Sequence, residues 1–198
     1  PNVNSSPASA RSAEALATAW NAAVQESIDN DTQVTFTLTE DWTAQPDADH
    51  ITSFGTGVGF SSGRIFIPKG ANIILDLQTY TLDRGLEKGT GSSSVILSEG
   101  ELEITGTTGT ITGASGSGIF AVYGTLKISG GNITGNYARW NGGGVNVVGA
   151  HLILSGGSIY GNTVDSCGAG VYLERSTLEM MGGIIGGEAN IGNSAVSG

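Results

Sequence analysis

The sequence has one cysteine, Cys167, among its 198 residues, and it contains only four prolines and two histidines. A single cysteine excludes an intramolecular disulfide and a cysteine-rich zinc site, so neither can stabilise the fold. Long apolar runs are also missing, since none approaches the roughly 18 residues that cross a bilayer as a helix. The stability of the chain must therefore come from packing, and we expect no membrane insertion in this segment.

Basic residues are scarce, because 8 Lys and Arg stand against 18 Asp and Glu and give a formal net charge of −10. An acidic surface repels phosphate backbones, so nucleic acid is a poor partner class for this chain. The carboxylates are not spaced as a DxDxDG-type calcium loop either. We therefore predict neither a metal nor a cofactor.

Glycine is absent from the first fifty residues, and all 33 glycines lie between Gly55 and Gly198. Collagen is excluded because it needs a glycine at every third residue. Disorder is disfavoured because 38% of the residues are hydrophobic and only 13% are charged. The glycine-rich region therefore predicts a regular, packed architecture.

The glycine-free start of the chain predicts an N-terminal cap. Residues 1–11 are small and polar and predict a flexible lead-in. Residues 12–29 predict a helix, in which four apolar residues recur at every fourth position on one stripe: Leu16, Trp20, Val24 and Ile28. Residues 34–38 alternate apolar side chains with threonines and predict a half-buried strand, which a loop follows. We expect residues 12–63 to form the cap, with the helix lying across the N-terminal end of the region that follows.

A repeat of 26 residues dominates the second half of the chain. The segment LKISGGNITGN at 126–136 returns as LILSGGSIYGN at 152–162 and, degraded, as LEMMGGIIGGE at 178–188. Each repeat holds three short apolar stretches, and glycines interrupt every window long enough for a helix. This pattern predicts an all-β fold over 64–198, a right-handed single-stranded parallel β-helix. It is a solenoid with three strands in each turn, or rung, of 24–27 residues.

Stacking of rungs at about 4.8 Å predicts columns of equivalent residues, which we call ladders. One expected apolar ladder consists of Leu75, Leu102, Leu126, Leu152 and Leu178. An asparagine ladder is expected from Asn136 and Asn162, with amide-to-amide hydrogen bonds and a left-handed backbone. Glycine pairs predict corners where φ is positive and where a side chain would strike the next rung. These pairs are Gly130 with Gly131, Gly156 with Gly157, and Gly182 with Gly183.

The segment GGNITGNYARWNGGGV at 130–145 resembles the repeats of right-handed β-helix, pectate-lyase-like and adhesin-like surface proteins of bacteria and some archaea. The resemblance covers about 64–198, and the helix-plus-strand opening is similar to the N-terminal cap of such proteins. It implies a secreted or cell-surface protein whose solenoid is a stalk, an adhesive surface or a carbohydrate-binding platform. The partners it implies are glycans or a host or cell-surface protein. An open solenoid end would also permit end-to-end self-association.

The loop NYARWNGG at 136–143 is the main candidate ligand site, because packing does not demand large aromatic residues in a turn. Aromatic faces stack on sugar rings, and arginine binds carboxylates. We expect Tyr137, Arg139 and Trp140 to project from this loop. Tyr160 and Asp165 would extend the patch from the next rung. The alternative is that Trp140 folds back and covers the solenoid flank. A second candidate glycan groove is the outward column of Phe120, Asn146 and Tyr172.

Two other functions fit the same fold class. Polysaccharide lyases and glycosidases share it, and Glu101 and Glu103 would point outward close together. A solubilising acidic face explains these glutamates better, and we interpret Lys127 as a solvated surface charge, so no catalytic residue is assigned. Ice binding would need a regular threonine column, whereas the relevant column is ragged: Thr81, Thr110, Asn132, Ser158 and Ile184.

The sequence thus favours a non-catalytic extracellular or cell-surface module of adhesin type, either presenting loops to glycans or host surfaces or acting as a stalk. The main alternative is a fragment of a polysaccharide lyase or glycoside hydrolase of the pectate-lyase-like fold. An ice-binding solenoid is a minor alternative.

Overall fold

In a computed structural model of the chain, which describes residues 13–46, 52–90, 92–187 and 192–195, the strands stack into a parallel β-solenoid. The expected flexible lead-in, 1–11, lies outside the described residues. The fold class expected from the 26-residue repeat is confirmed, as is the single helix at the N-terminal end. No helix in the described part of the chain is both long and apolar enough to cross a membrane.

Three sheets of six strands run along the solenoid. Sheet 1 consists of Gln33–Thr37, Asn72–Asp76, Glu101–Thr105, Thr125–Ile128, His151–Leu154 and Thr177–Met180. Sheet 2 consists of Trp42–Thr43, Thr81–Asp83, Thr110–Thr112, Asn132–Ile133, Ser158–Ile159 and Ile184–Ile185. Sheet 3 consists of Phe60–Ser61, Arg64–Ile67, Ile96–Ser98, Ile119–Val122, Val145–Val148 and Val171–Glu174. All neighbours pair in parallel except the first two strands of sheet 3, which form a hairpin.

A fourth, short sheet adds to the three strands expected in each rung. Sheet 4 lies between sheet 2 and sheet 3 along the chain and consists of Tyr137–Ala138, Thr163–Val164 and Ser194–Ala195. Its strands have two residues each, which is too short for a period-two pattern to be visible in the sequence. The remaining strands, Gln45–Pro46 and Thr52–Ser53, form an antiparallel pair.

The N-terminal helix, Ala13–Asn30, covers the edge of the first rung. Its expected apolar stripe faces the core, and Trp20 is fully buried, with its indole Nε1 donating to the Gly59 carbonyl at 2.7 Å. Ser27 is a buried polar residue of the same face, and its Oγ accepts the Asn72 backbone N–H at 2.8 Å. The helix therefore protects a strand edge that would otherwise expose unpaired groups. The solenoid starts at Gln33, ahead of the expected residue 64, because Gln33–Thr37 already pairs with Asn72–Asp76.

The interior consists of stacked apolar ladders. Their register differs from the expected one at one position. Leu102 pairs with Ile73, and Leu75 pairs with Ile104, so the expected stacking of Leu75 on Leu102 is wrong. The observed ladder is Ile73, Leu102, Leu126, Leu152 and Leu178. A shift by two residues leaves the same side chains facing inward. The period-two pattern therefore could not distinguish the two alignments.

The glycine pairs form the corners as expected, and the two glycines of each pair have different tasks. The second glycines, Gly131, Gly157 and Gly183, have φ values of 73°, 71° and 74°. A Cβ on the first glycine would come within 3.0 Å of a backbone oxygen of the preceding rung, as it would at Gly130, Gly156 and Gly182. The first glycine permits the close approach of two rungs, and the second supplies a left-handed backbone and, at Gly157 and Gly183, permits a close approach as well.

The asparagine ladder is confirmed and lies inside the solenoid, where Asn136 and Asn162 are 1% and 0% exposed. The Asn136 Nδ2 donates to the Asn162 Oδ1 at 3.1 Å, and the Asn162 Nδ2 donates to the Asn193 Oδ1 at 3.0 Å. The expected left-handed backbone is wrong for these asparagines, because positive φ falls on the preceding residues, Gly135 and Gly161. The asparagines are selected instead by their amides, which satisfy buried backbone groups at this corner.

The rung at the C-terminal side leaves several large apolar side chains exposed, namely Leu178, Met180, Met181, Ile184 and Ile185. Leu178, Met180 and Ile185 continue inward ladders, and Ile184 continues the column on sheet 2. Nothing in the described residues packs over them. The expected end-to-end self-association stays a prediction.

We predict that Asn162→Ala lowers the free energy of unfolding by roughly 3 kcal/mol, because each abandoned buried hydrogen-bonding group costs about 1–3 kcal/mol. The variant leaves the Asn136 backbone N–H without its partner and removes one of the two hydrogen bonds that the Ile133 carbonyl accepts. Urea unfolding measures the loss. The matched control is Asn132→Ala, which removes a single bond to the Thr108 carbonyl at the surface, and it should cost less than about 1 kcal/mol. Equal costs for the two variants would contradict the role of the ladder.

Candidate functional site

A pocket of about 210 Å³ lies between sheet 4 and sheet 3, and we call it the Trp140 pocket. At about 30 Å³ for each water, it has room for roughly seven waters. Its lining has two arginines, two aromatic residues, five neutral polar residues and two small residues: Arg64, Arg139, Phe120, Trp140, Ser92, Ser94, Ser117, Asn141, Asn146, Gly116 and Ala138. The residues come from four successive rungs, so the stacking of the solenoid assembles the pocket.

The backbone of the loop that carries Trp140 is fixed by the next rung. The Trp140 carbonyl accepts the Cys167 N–H at 3.2 Å, and the Ala138 carbonyl accepts the Asp165 N–H at 3.1 Å. The side chain of Trp140 is nevertheless 63% exposed, so it does not cover the flank as the alternative interpretation had it. The Arg139 guanidinium carbon lies 5.1 Å from the centroid of the Trp140 ring. An aromatic face is therefore presented to solvent from a rigid support.

The other three expected site residues lie outside the pocket lining. Tyr137 is in a strand of sheet 4 and only 7% exposed, which corrects the expectation that it projects from a turn. Its hydroxyl donates to the Asp165 Oδ2 at 2.5 Å, and the Lys88 Nζ lies 4.8 Å from its ring centroid. Tyr160 has its backbone N–H bonded to the Ile133 carbonyl of the preceding rung. Tyr137 and Asp165 thus form a structural pair that joins two rungs.

The hydrogen bond to Asp165 raises the pKa of Tyr137 above its usual value, and burial and the Asp165 charge act in the same direction. The nearby Arg139 charge opposes them. Because the phenol is the donor in this bond, ionisation of Tyr137 destroys the bond and places two negative charges side by side. The pair is therefore intact at neutral pH.

Two buried polar atoms of the lining residues have no hydrogen-bond partner among the described residues. One is the Oγ of Ser94, a residue that is only 3% exposed, and the other is the Oδ1 of Asn146. The Asn146 Nδ2 donates to the Asn141 carbonyl at 3.4 Å. Both unpartnered atoms are shielded from solvent, so a ligand in the pocket reaches them only if the wall moves.

Arg64 is a half-buried residue of the pocket whose Nε donates to the Ser61 carbonyl at 3.0 Å. Burial lowers the pKa of Arg64, and the charge of Glu99 partly offsets that effect. The buried Arg84 supports the same wall, because its Nη2 donates to the Ser62 carbonyl at 3.2 Å and to the Ser93 Oγ at 3.4 Å. Arg84 thus connects residues 92–94, a segment of three serines that lines the pocket, to the hairpin that carries Arg64.

The second candidate groove shares two residues with the Trp140 pocket. Phe120, Asn146 and Tyr172 occupy one column of sheet 3, as expected. Phe120 and Asn146 line the Trp140 pocket, whereas Tyr172 lines a wider cavity near the C-terminal side. Arg64 and Ser94 are absent from the expected site, and no repeat or motif in the sequence singles them out.

The acidic face of sheet 1 has an ion pair that the sequence interpretation missed. Lys127, expected to be a solvated charge, lies with its Nζ 3.0 Å from the Glu103 Oε1, and the Ser129 Oγ donates to the same oxygen at 2.6 Å. Partial burial raises the pKa of Glu103, but the bonds from Ser129 and Lys127 outweigh it and lower the pKa overall. No group of three His, Cys, Asp or Glu side chains converges as a metal site within the described ranges.

The column considered for ice binding has the expected register from Thr81 through Thr110, Asn132 and Ser158 to Ile184. The side chains along this column are a mixture of hydroxyl, amide and aliphatic groups. No regular threonine array results.

We predict that Tyr137 titrates above pH 10 in the folded protein and that Tyr137→Phe removes that step. A pKa that is raised by folding contributes stability below the unfolded value, and this contribution is lost as pH rises through the folded value. Phenolate absorbance of the wild type minus that of Tyr137→Phe isolates the step. Asp165→Asn should move it to lower pH, while Tyr172→Phe should leave it in place. A step for Tyr137 at or below pH 10 would contradict the assigned bond.

No protein-family model, curated protein or solved structure matches this chain. The family resemblance of the repeats therefore has no relative to support it. The structure shows a parallel β-solenoid with one N-terminal helix and a polar and aromatic pocket on its flank.

Proposed function

We propose that the chain is a non-catalytic extracellular or cell-surface module of adhesin type, and that it binds a glycan in the Trp140 pocket. The observation that carries the proposal is the exposure of Trp140 on a backbone held by the next rung, at the edge of a pocket with a polar and aromatic lining. Extracellular location follows from the resemblance of the repeats to surface proteins and is part of the proposal.

The chemistry of the pocket suits a sugar better than an apolar ligand. A sugar ring has one face of C–H groups, which packs on an aromatic plane, and a rim of hydroxyl groups that donate and accept hydrogen bonds. Trp140 and Phe120 supply the apolar contact, and the arginines, serines and asparagines of the lining supply polar partners. Binding sites commonly combine an apolar surface with a few polar groups in this way.

The solenoid would contribute rigidity to the binding. The loop does not need to be ordered by its ligand, because its backbone carbonyls are already hydrogen-bonded to the next rung. Preorganisation of this kind reduces the entropic cost of association. Weak contacts with single sugars become effective when many copies on a surface bind many sugars at once.

The pectate-lyase-like enzyme is the alternative that the sequence leaves open. Glycoside hydrolysis uses two carboxylates about 5–10 Å apart. The described residues that line the Trp140 pocket are mainly arginines, serines, asparagines and aromatic residues. None of them has a carboxylate. This composition supports binding rather than hydrolysis at this site.

We predict that Trp140→Ala weakens glycan binding at least tenfold, about 1.4 kcal/mol, because the exposed aromatic face is the main apolar contact. A glycan array probed with fluorescently labelled protein measures the loss. The matched control is Tyr123→Ala, which removes an aromatic side chain that is 67% exposed and outside the pocket lining, and it should bind like the wild type.

Neither variant should change the urea midpoint, because both side chains are largely exposed. Equal binding by the wild type and Trp140→Ala would remove the pocket from the proposal. Release of shortened or unsaturated oligosaccharides from the array sugars would overturn the non-catalytic part.

A further inference from the structure

The Trp140 pocket concentrates positive charge in an acidic protein. The chain has 8 Lys and Arg against 18 Asp and Glu, yet two of its five arginines, Arg64 and Arg139, line this one pocket. The rest of the lining is uncharged. A pocket with two guanidinium groups and no carboxylate attracts an anion, even though the net charge of the chain repels one.

No described residue forms a close ion pair with either arginine of the pocket. The ion pairs found among the described residues join Lys127 to Glu103, His151 to Glu179, and Arg175 to Glu174. Arg64 uses its Nε for the Ser61 carbonyl, and Arg139 lies against the Trp140 ring. A guanidinium has five N–H donors in a planar fork, so donors remain on both residues for a carboxylate.

Burial strengthens the case for Arg64. A half-buried arginine has lost part of its hydration, and the only described carboxylate that acts on it electrostatically, Glu99, forms no ion pair with it within 4.0 Å. A ligand carboxylate would replace the missing water with a paired, charge-assisted hydrogen bond. Charged residues are normally left in such places only when they are paired.

The neutral wall of the pocket restricts what else the ligand has. Five serines and asparagines line the pocket, and their polar groups pair with hydroxyl groups. Phe120 and Trp140 favour an apolar face. A volume of about 210 Å³ has room for one sugar ring.

We infer that the Trp140 pocket selects a single carboxylate-bearing sugar unit. Arg64 and Arg139 bind the carboxylate, Trp140 stacks on the ring, and the serines and asparagines of the lining bind hydroxyl groups. This inference rests on the proposed glycan-binding function and adds the class of sugar to it.

The test compares sugars that differ only in the carboxylate. Beads carrying glucuronic acid or glucose through the same linker capture the full chain at matched ionic strength, and free acetate serves as a competitor. We expect at least tenfold tighter binding to glucuronic acid than to glucose. Added salt should weaken the binding of glucuronic acid more, because it screens the arginines. Acetate should not compete at concentrations at which free glucuronate does.

The variants assign the preference to the two arginines. Arg139→Gln and Arg64→Gln should each reduce the preference for glucuronic acid over glucose at least tenfold. Arg64→Lys, which keeps the charge without the planar fork, should lie between the wild type and Arg64→Gln. Arg175→Gln is the control, because Arg175 is exposed and paired with Glu174 away from the pocket. Arg139 is exposed, so its variant remains informative if Arg64→Gln fails to fold.

The possible outcomes separate this inference from the proposed function. Equal binding of both sugars, or an unchanged preference in Arg139→Gln, would overturn the selection of a carboxylate and leave glycan binding intact. Competition by acetate as strong as that by glucuronate would reduce the site to a general anion site. Absence of binding to either bead would contradict the inference. If other glycans of the array still bind and Trp140→Ala abolishes that binding, the proposed function holds although the inference fails.

Discussion

The stacking of one backbone directly on the next is the constraint on which the rest of this structure depends. Rungs of a parallel solenoid lie about 4.8 Å apart, and at the corners this distance leaves no space for a Cβ. Gly156 shows the limit, because a side chain there would strike the Ser129 carbonyl of the preceding rung. The buried asparagine ladder solves the complementary problem, since its amide oxygens accept the backbone N–H groups of Ala114 and Asn136 at the corner.

The repeat made most of this architecture predictable. Residues that recur at 26-residue intervals have the same environment in each rung, so the corners, the asparagine ladder and the column containing Phe120 follow from the sequence. The register of Leu75 did not follow, because the early repeats are degraded and a shift by two residues keeps the alternation intact. The burial of Tyr137 did not follow either, because its strand has only two residues and its partner Asp165 belongs to the next rung.

The candidate site was predictable only in the part that one loop carries. Arg139 and Trp140 stand out because no packing demand explains large side chains in a turn. Phe120 and Asn146 were found as members of a column, but their place in the same pocket depends on how sheet 4 approaches sheet 3, and sheet 4 is invisible in the sequence. Arg64 and Ser94 come from rungs that precede the clear repeat. Only the structure brings their side chains beside Trp140.

The repeated residues thus account for stability, and the residues that depart from the repeat account for the proposed binding. Chemical-shift mapping of the ¹⁵N-labelled chain with added glucuronate tests this division most directly. The account predicts shifts of the Trp140 indole N–H and of the backbone amides of Ser94, Ser117 and Asn146, with the amides of Gly131, Gly157 and Asn162 unchanged. Shifts centred on the corner glycines and the asparagine ladder, or on the cavity beside Tyr172, would contradict it.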